Sequence, residues 1–225
     1  MKNYILLTNK SWHDELFINL SKRPREKWER IKEKSSFNLE KLNDLKPDLV
    51  FIPHWSHIIP SEIFESFECI VFHMTDLPYG RGGSPLQNLI ARGHKETKVT
   101  ALKVDQGLDT GKVYLKAPLS LLGTAQEIFL RSAEVIESMI KTIIDDNPYP
   151  SEQEGRPVNF ERRKPQDGDI SDLEQLSQVY DYIRMLDCEG YPSAFLETEH
   201  FRMEFSRASL KANKSIVADV RIIKK

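Results

Sequence analysis

The sequence predicts an α/β fold in which a mostly parallel sheet is flanked by helices and followed by a small α+β C-terminal subdomain. Short apolar runs recur along the first half of the chain, amphipathic helical segments lie between and after them, and polar and basic residues dominate after residue 150. A chain of 225 residues suffices for one domain with an appendage, because the hydrophobic core of a single domain stops growing at about 250 residues. We expect a main domain over residues 1–150 and a subdomain over residues 151–225.

The apolar runs predict the strands of the sheet. Each run is bounded by polar residues or by proline, which is typical of a buried strand. The predicted strands lie at residues 4–8, 48–52 and 69–72, and the helices between them begin at Trp12 or span residues 40–45 and 61–67. No Gly-x-Gly-x-x-Gly follows the first strand, which excludes a dinucleotide fingerprint but leaves a Rossmann-like α/β pattern.

Helix caps mark the rest of the main domain. Ser84 and Pro85 are typical of the N-cap and first position of a helix that ends before Gly93. Residues 124–127 read as a capping box that opens a long amphipathic helix, which Asn147 and Pro148 end. The remaining predicted elements are strands at residues 99–104 and 112–117, a helix near residues 173–186, and strands near Phe201 and Val217.

Charge and cysteine content limit the classes of function. The 32 Lys and Arg residues nearly balance 34 Asp and Glu residues, so no overall attraction to a phosphate backbone exists, and we expect no nucleic-acid partner. No apolar run approaches the roughly 18 residues of a membrane span, and no signal peptide is recognisable, so no membrane partner is expected. Cys69 and Cys188 stand alone, which favours reduced thiols in the cytoplasm. The histidine spacing predicts no metal site.

Three features of the sequence offer chemistry. The third predicted strand delivers His73 to its carboxyl end, where open α/β sheets bind ligands. A Gly-rich loop at residues 80–83 opens the next helix, and Asp109 lies in a second loop flanked by glycines. Each feature alone has an ordinary explanation, because histidines at strand ends often have structural roles and Asp between glycines is common turn chemistry.

Together, the segments at residues 73–85 (HMTDLPYGRGGSP) and 104–111 (VDQGLDTG) resemble the folate-dependent formyltransferase family. Its pattern has a His shortly before Leu-Leu-Pro or a variant, then an Arg-Gly turn and a Pro, and later Gly-Leu-Asp-Thr-Gly. The resemblance implies transfer of a formyl group from 10-formyltetrahydrofolate to a primary amine, with residues 1–150 as the catalytic domain. It also implies that His73 and Asp109 are catalytic, the His handling a proton or the oxyanion and the Asp orienting the ring.

One position departs from the family's pattern. The third catalytic residue of the family is an Asn two positions before the His, and this chain has Val71 there. Such an amide donates to the oxyanion of the tetrahedral intermediate, and loss of a donor of this type costs about 3 kcal/mol of barrier. Thr75, Ser84 or a backbone amide could replace it, the reaction could be slower, or the chain could be a non-catalytic relative that binds folate or a nucleotide sugar.

The resemblance also implies a folate pocket between two loops. The expected lining residues are Trp55, Ser56, His57, Ile58, Asp105, Gln106 and Leu108. For Trp55, packing in the core is an interpretation that stays open beside contact with the folate ring. For His54 and His57, a position facing the solvent stays open.

The acceptor amine is chosen by elimination among those the family uses. The short C-terminal segment and the net charge of −2 argue against methionyl-tRNA, and residues 4–11 lack the Gly-rich phosphate loop usual for a glycinamide ribonucleotide. The segments at residues 160–170, 182–187 and 190–195 are similar to sugar-nucleotide N-formyltransferases. We therefore expect a UDP- or dTDP-4-amino-4,6-dideoxy sugar of the pseudaminic acid type, and a methionyl-tRNA formyltransferase-like enzyme is the alternative.

A nucleotide diphosphate is expected to bind Arg side chains and helix N-termini. The predicted substrate-binding residues are Thr75, Tyr79, Arg81, Ser84, Arg162 and Arg163. A solvated basic face is an open alternative for the last two. The C-terminal strands could also pair between subunits, which leaves a homodimer open.

Overall fold

A computed structural model describes every residue from Met1 to Lys225 and confirms the predicted fold class. The strands are β1 (Lys2–Leu7), β2 (Glu26–Ile31), β3 (Leu49–Ile52), β4 (Cys69–His73), β5 (Tyr79–Gly82), β6 (Glu96–Lys103), β7 (Val113–Ser120), β8 (Val158–Phe160), β9 (Ala194–Glu197), β10 (Phe201–Leu210) and β11 (Ile216–Lys224). The helices are α1 (Asp14–Ser21), α2 (Leu39–Leu45), α3 (Ser61–Ser66), α4 (Pro85–Ala91), α5 (Ala125–Asp146) and α6 (Leu176–Arg184). Short 3-10 turns lie at Ser11–His13, Lys34–Ser36 and Pro165–Gly168.

The main sheet has six strands in the order β2-β1-β3-β4-β6-β7. β1 pairs in parallel with β2 and β3, and β3 pairs in parallel with β4. The strands β3 and β4 and the last four residues of β1 are mostly apolar and buried, as is typical of parallel strands covered on both faces. This burial explains why their sequences alone were sufficient to predict them.

β6 runs antiparallel to β4, and this direction decides where the next loop begins. His73 lies opposite Thr100, and Ile70 lies opposite Lys103. The loop at residues 104–112 therefore leaves β6 beside the amino end of β4, where the Val104 N–H donates to the Cys69 carbonyl at 2.9 Å. To reach His73, this loop has to fold back along the sheet.

The sequence did not predict β2. Most of its residues are charged, and Trp28 and Ile31 are its only buried positions. Charged side chains are common on edge strands because they discourage pairing with other chains. A hydrophobic pattern was therefore too weak here to reveal a strand, although β2 pairs with β1 over six positions.

The helix caps agree with the sequence in one case and differ in the other. At α5 the Thr124 N–H donates to Glu127 Oε2 at 2.7 Å and the Glu127 N–H donates to Thr124 Oγ1 at 3.3 Å, which confirms the capping box. Ser84 precedes α4 as predicted, but its backbone is left-handed with φ 50° and its side chain does not cap the helix. Its hydroxyl oxygen instead accepts from the Arg163 N–H at 3.1 Å.

The chain forms two compact units, and both are discontinuous in sequence. The first comprises residues 1–81, 97–119 and 130–159 and contains the main sheet; the second comprises residues 82–96, 120–129 and 160–225. The second unit contains α4, α6 and a three-stranded sheet in the order β11-β10-β9, which includes the two C-terminal strands predicted near Phe201 and Val217. The predicted boundary at residue 150 stays a prediction. None of the helices has the length and apolar character needed to cross a membrane.

Candidate functional site

His73 ends β4 and is buried, with one ring nitrogen fixed by the main chain. Its Nε2 lies 2.7 Å from the Gly80 carbonyl oxygen. A carbonyl oxygen only accepts, so Nε2 carries a hydrogen and donates it. The neutral ring consequently presents Nδ1 as the atom that can take up a proton.

Asp109 lies on the other side of that ring. Its Oδ2 is 3.5 Å from His73 Nδ1, and the Asp109 side chain is only 12% exposed. The distance exceeds a good hydrogen bond, so the contact is an ion pair that forms when Nδ1 is protonated. The two side chains can therefore take a proton at Nδ1 and stabilise the resulting charge, which is the function expected of a proton acceptor in acyl transfer.

The loop that carries Asp109 is ordered by its own side chains. Asp105 Oδ1 accepts from the Gly107 N–H at 3.0 Å and from the Thr110 hydroxyl at 2.6 Å. Asp109 has a left-handed backbone with φ 55°. At Gly111 a Cβ would lie 1.8 Å from the Lys103 carbonyl oxygen, so only glycine allows this approach to β6. These features fold the loop back toward His73.

The loops predicted to form the folate pocket emerge from one apolar cluster. Trp55 is partly buried and packs with Val104 and Val71 against the core around Ile52 and Cys69. Core packing of Trp55 is thus observed. Ile58 and Leu108 are 88% and 66% exposed, so each loop presents an uncovered apolar side chain. The other predicted lining residues, Ser56, His57, Asp105 and Gln106, are exposed.

The packing of Val71 leaves no polar group at the position of the family's Asn. Thr75 is fully buried and its hydroxyl donates to the Gly80 carbonyl at 3.4 Å. This hydroxyl therefore supports the loop that follows His73. The predicted contact of Thr75 with a substrate is not available in this geometry, because no part of the side chain reaches the surface.

Tyr79 and Arg81 belong to the first unit, on β5. The Arg81 guanidinium donates to Gln153 Oε1 at 3.2 and 2.8 Å, and Tyr79 lines a cavity of about 670 Å³. The charged residues in the wall of this cavity are Asp76, Lys98, Lys116, Glu152, Glu154 and Arg156. The Arg81 guanidinium thus forms hydrogen bonds within the protein, whereas the sequence predicted that it binds the diphosphate of a substrate.

The remaining predicted substrate-binding residues belong to the second unit. There the Arg163 main chain donates to Ser84, and the Arg163 guanidinium contacts the Asp167 carbonyl and lies 5.0 Å from the Tyr182 ring centroid. Arg162 is exposed. Of the two arginines, Arg162 has the side chain that is more accessible to an anion.

Two histidines that follow β1 and β3 lie in buried surroundings, which the sequence patterns did not predict. His13 is fully buried, and its Nδ1 lies 2.9 Å from the Thr8 hydroxyl. Burial, with His54, Arg30 and Lys10 nearby, lowers the pKa of His13 to about 3. Burial, with Lys10 nearby, lowers the pKa of His54 to about 3 as well. Both rings are therefore neutral, and His54 is not the solvent-facing residue considered from sequence. The ring centroid of Trp12 lies 5.3 Å from that of His54. A tryptophan directly before His13 was the one sequence feature that could have indicated this burial.

These depressed pKa values predict acid sensitivity. In the unfolded chain each imidazole takes up a proton near pH 6.5, whereas in the folded protein both rings stay unprotonated down to about pH 3. Stability is therefore full above pH 6.5 and is lost as the pH falls from there toward 3, with a slope of up to about 1.4 kcal/mol per pH unit per histidine. Urea unfolding at pH 7.5 and 5.5 should show a loss of about 1 kcal/mol from His13.

The matched control for that measurement is His13→Asn, whose side-chain amide can donate to or accept from the Thr8 hydroxyl but does not titrate. This variant should show a shallower decline of unfolding free energy between the two pH values. An unchanged decline would mean that His13 is not held neutral in the folded protein.

Two family models match the chain. Residues 14–133, more than half of the chain, match the model described as formyl transferase, and residues 165–223 match the model described as methionyl-tRNA formyltransferase, C-terminal domain. The first matched region contains His73, Asp109 and both loops of the expected folate pocket.

Individual relatives give the same family. A solved structure described as methionyl-tRNA formyltransferase from Clostridium thermocellum is 49% identical, with both chains covered in full and a TM-score of 0.97. A methionyl-tRNA formyltransferase of Francisella philomiragia subsp. philomiragia is 28% identical over 195 residues, which cover 83% of this chain. The chain spans 62% of the length of that curated relative.

The predicted amino-sugar substrate is wrong, and so is the predicted absence of a nucleic-acid partner. The solved 4-N formyltransferase from Francisella tularensis is only 15% identical, covers 97% of this chain and 96% of its own, and has a TM-score of 0.69. That likeness shows the fold alone, whereas the full-length relative at 49% identity is described as a methionyl-tRNA enzyme.

The charge of a whole chain does not describe a local surface, and the length of a segment does not determine which acceptor it binds. The C-terminal segment, which the sequence predicted to be too short for a methionyl-tRNA enzyme, matches the C-terminal domain model of such enzymes. The wider resemblance that the sequence suggested is confirmed by a family model over residues 14–133 and by a full-length structural relative. The chain therefore belongs to the formyltransferase family.

Proposed function

We propose that this protein transfers a formyl group from 10-formyltetrahydrofolate to the amino group of methionyl-tRNA. The observation that carries the proposal is the full-length similarity, at 49% identity, to the methionyl-tRNA formyltransferase of Clostridium thermocellum. The buried pair of His73 and Asp109 supports it, because amine acylation needs a proton acceptor in a site with little water.

We propose residues 1–150 as the catalytic domain and residues 151–225 as the subdomain that assists in binding the acceptor. In support, the two family models lie on either side of residue 150, at residues 14–133 and 165–223.

The loops beside the apolar cluster fit the folate donor. Ile58 and Leu108 present exposed apolar surface on separate loops, and polar Ser56 and Asp105 lie near them in sequence. Planar rings with polar edges bind well between such side chains. We assign the binding of 10-formyltetrahydrofolate to the predicted set of Trp55, Ser56, His57, Ile58, Asp105, Gln106 and Leu108. When bound, this cofactor supplies an activated formyl group.

His73 and Asp109 then have separate duties. The attacking amine must lose a proton, and His73 Nδ1 is the basic atom that the Gly80 contact leaves available. Asp109 stabilises the ring once Nδ1 is protonated. Val71 offers no donor to an oxyanion, and the Thr75 hydroxyl is bonded to Gly80. Both N–H groups of a protonated His73 ring face Gly80 and Asp109, so we assign that donation to a backbone amide.

A nucleic-acid substrate is consistent with the local charge of the C-terminal hairpin formed by β10 and β11. Residues 201–225 contain seven Lys or Arg residues and two Asp or Glu residues, although the whole chain carries a charge of −2. Basic side chains bind the phosphates of tRNA irrespective of base sequence. Aminoacylated tRNA occurs in the cytoplasm, so the proposed substrate is consistent with the cytoplasmic location predicted from the sequence.

The hairpin charge gives a testable salt effect. Neutralising Lys211 and Lys214, both exposed near the hairpin tip, should raise the KM for methionyl-tRNA about two- to fivefold and make it less dependent on salt. The kcat and the KM for the folate donor should stay unchanged. Steady-state kinetics at two salt concentrations checks this, with Lys32→Gln and Lys34→Gln together as the control. Equal effects of both pairs of substitutions would contradict a specific role of the hairpin.

The experiment for the proposal is incubation of the full chain with methionyl-tRNA and 10-formyltetrahydrofolate, followed by mass spectrometry of the aminoacyl product. Formylmethionine should accumulate with methionyl-tRNA, and methionyl-tRNA whose amine has been acetylated should give none. Binding of both ligands without any product would instead favour the non-catalytic relative that Val71 suggests.

A further inference from the structure

The side-chain amide of Gln153 uses all of its polar sites. Its Nε2 donates to the Asp109 carbonyl at 2.9 Å and to the Gly111 carbonyl at 2.8 Å. Its Oε1 accepts twice from Arg81, at 3.2 and 2.8 Å. Carbonyls only accept and a guanidinium only donates, so the orientation of the amide is unambiguous.

These contacts join the two segments that surround the His73 ring. Arg81 directly follows Gly80, whose carbonyl accepts from His73 Nε2 at 2.7 Å. Asp109 supplies the carboxylate on the Nδ1 side, at 3.5 Å. One amide therefore holds the chain on both sides of the imidazole, through main-chain carbonyls on the Asp109 side and through the Arg81 guanidinium on the Gly80 side.

We propose that Gln153 is a positioning residue, which fixes the Asp109 carboxylate and the Gly80 carbonyl relative to His73. The inference rests on the proposed formyl transfer. The loop at residues 104–112 begins at the far end of β4, so its return to His73 depends on contacts of this kind. A displacement near 1 Å at a reacting group can cost about 100-fold in rate.

The backbone around Gln153 is held by other contacts, so removing its side chain should leave the fold intact. Ser151 and Val113 exchange two backbone hydrogen bonds at 2.9 and 2.7 Å, and the Val158 N–H donates to the Pro78 carbonyl at 3.1 Å. The neighbouring Glu154 is exposed and provides a matched control.

The kinetic test compares Gln153→Ala, Gln153→Glu and Glu154→Ala in formyl transfer to methionyl-tRNA. Both Gln153 variants should lower kcat about 10- to 100-fold with the KM for each substrate nearly unchanged, since Glu retains the Arg81 contact but loses both donors to the loop. Glu154→Ala should match the wild type. In an Asp109→Ala background, Gln153→Ala should cost much less than in the wild type, because the group that it positions is gone.

A second measurement does not depend on the acceptor. The ¹⁵N signals of the His73 ring should show a single tautomer with hydrogen on Nε2 in the wild type, and exchange between tautomers in Gln153→Ala. If the wild type does not formylate methionyl-tRNA, the proposed function fails and these signals alone decide the role of Gln153. An unchanged tautomer in Gln153→Ala, or an equal kinetic cost with and without Asp109, would overturn the inference.

Discussion

The His73→Ala variant is expected to lose about 10³-fold in kcat for formyl transfer to methionyl-tRNA. In the proposed mechanism, Nδ1 of His73 takes the proton of the amine, and general acid–base catalysis contributes about 10²- to 10⁴-fold. The KM values for methionyl-tRNA and for 10-formyltetrahydrofolate should change little. Single-turnover formylation, followed by mass spectrometry of the methionine product, measures the loss.

His94→Ala is the matched control, since His94 lies in the turn after α4 and outside the proposed machinery. It should keep the wild-type rate. Full activity of His73→Ala would remove this residue from the mechanism, and a much lower thermal stability of the variant would show that the loss reflects misfolding.

Asp109→Asn is expected to give the second largest effect, a decrease of about 10- to 100-fold in kcat. The neutral amide no longer stabilises a protonated His73 ring, because an opposite charge a few ångströms away favours the charged form of an ionisable group and an amide carries no charge. The loop should keep its path, because Gln153 bonds to the main-chain carbonyl of Asp109. Steady-state kinetics with both substrates measures the change.

Asp172→Asn, at an exposed position of the second unit, is the control for a general effect of lost charge. In a double variant with His73→Ala, Asp109→Asn should cause little further loss, because it acts through the ring. Additive losses would show that Asp109 contributes independently of His73.

The strand that carries His73 could be predicted from sequence because β4 is an apolar run that ends abruptly in a polar residue. The proximity of His73 and Asp109 could not be derived in this way. It depends on the antiparallel direction of β6 and on a loop that folds back, and only the family resemblance indicated it. The charged edge strand β2 was missed because tertiary pairing overrides a weak pattern.

The contacts of Gln153 and the identity of the acceptor could not be predicted from the sequence either, because both depend on which residues meet in space. Gln153 contacts a residue 44 positions away and lies in a polar segment without periodicity. The predicted acceptor was wrong because a net charge of −2 averages over the whole chain. The proposed binding of tRNA depends instead on the local charge of residues 201–225.

Formyl transfer through His73 and Asp109 can be measured in single turnovers with methionyl-tRNA and 10-formyltetrahydrofolate, run in parallel for the wild type, His73→Ala and Asp109→Asn. We expect the wild type to convert the methionine of the tRNA to formylmethionine. Both variants, folded and able to bind the tRNA, should be slowed by the factors given above. A wild type that binds both substrates without forming formylmethionine, or variants that form it at the wild-type rate, would contradict this mechanism.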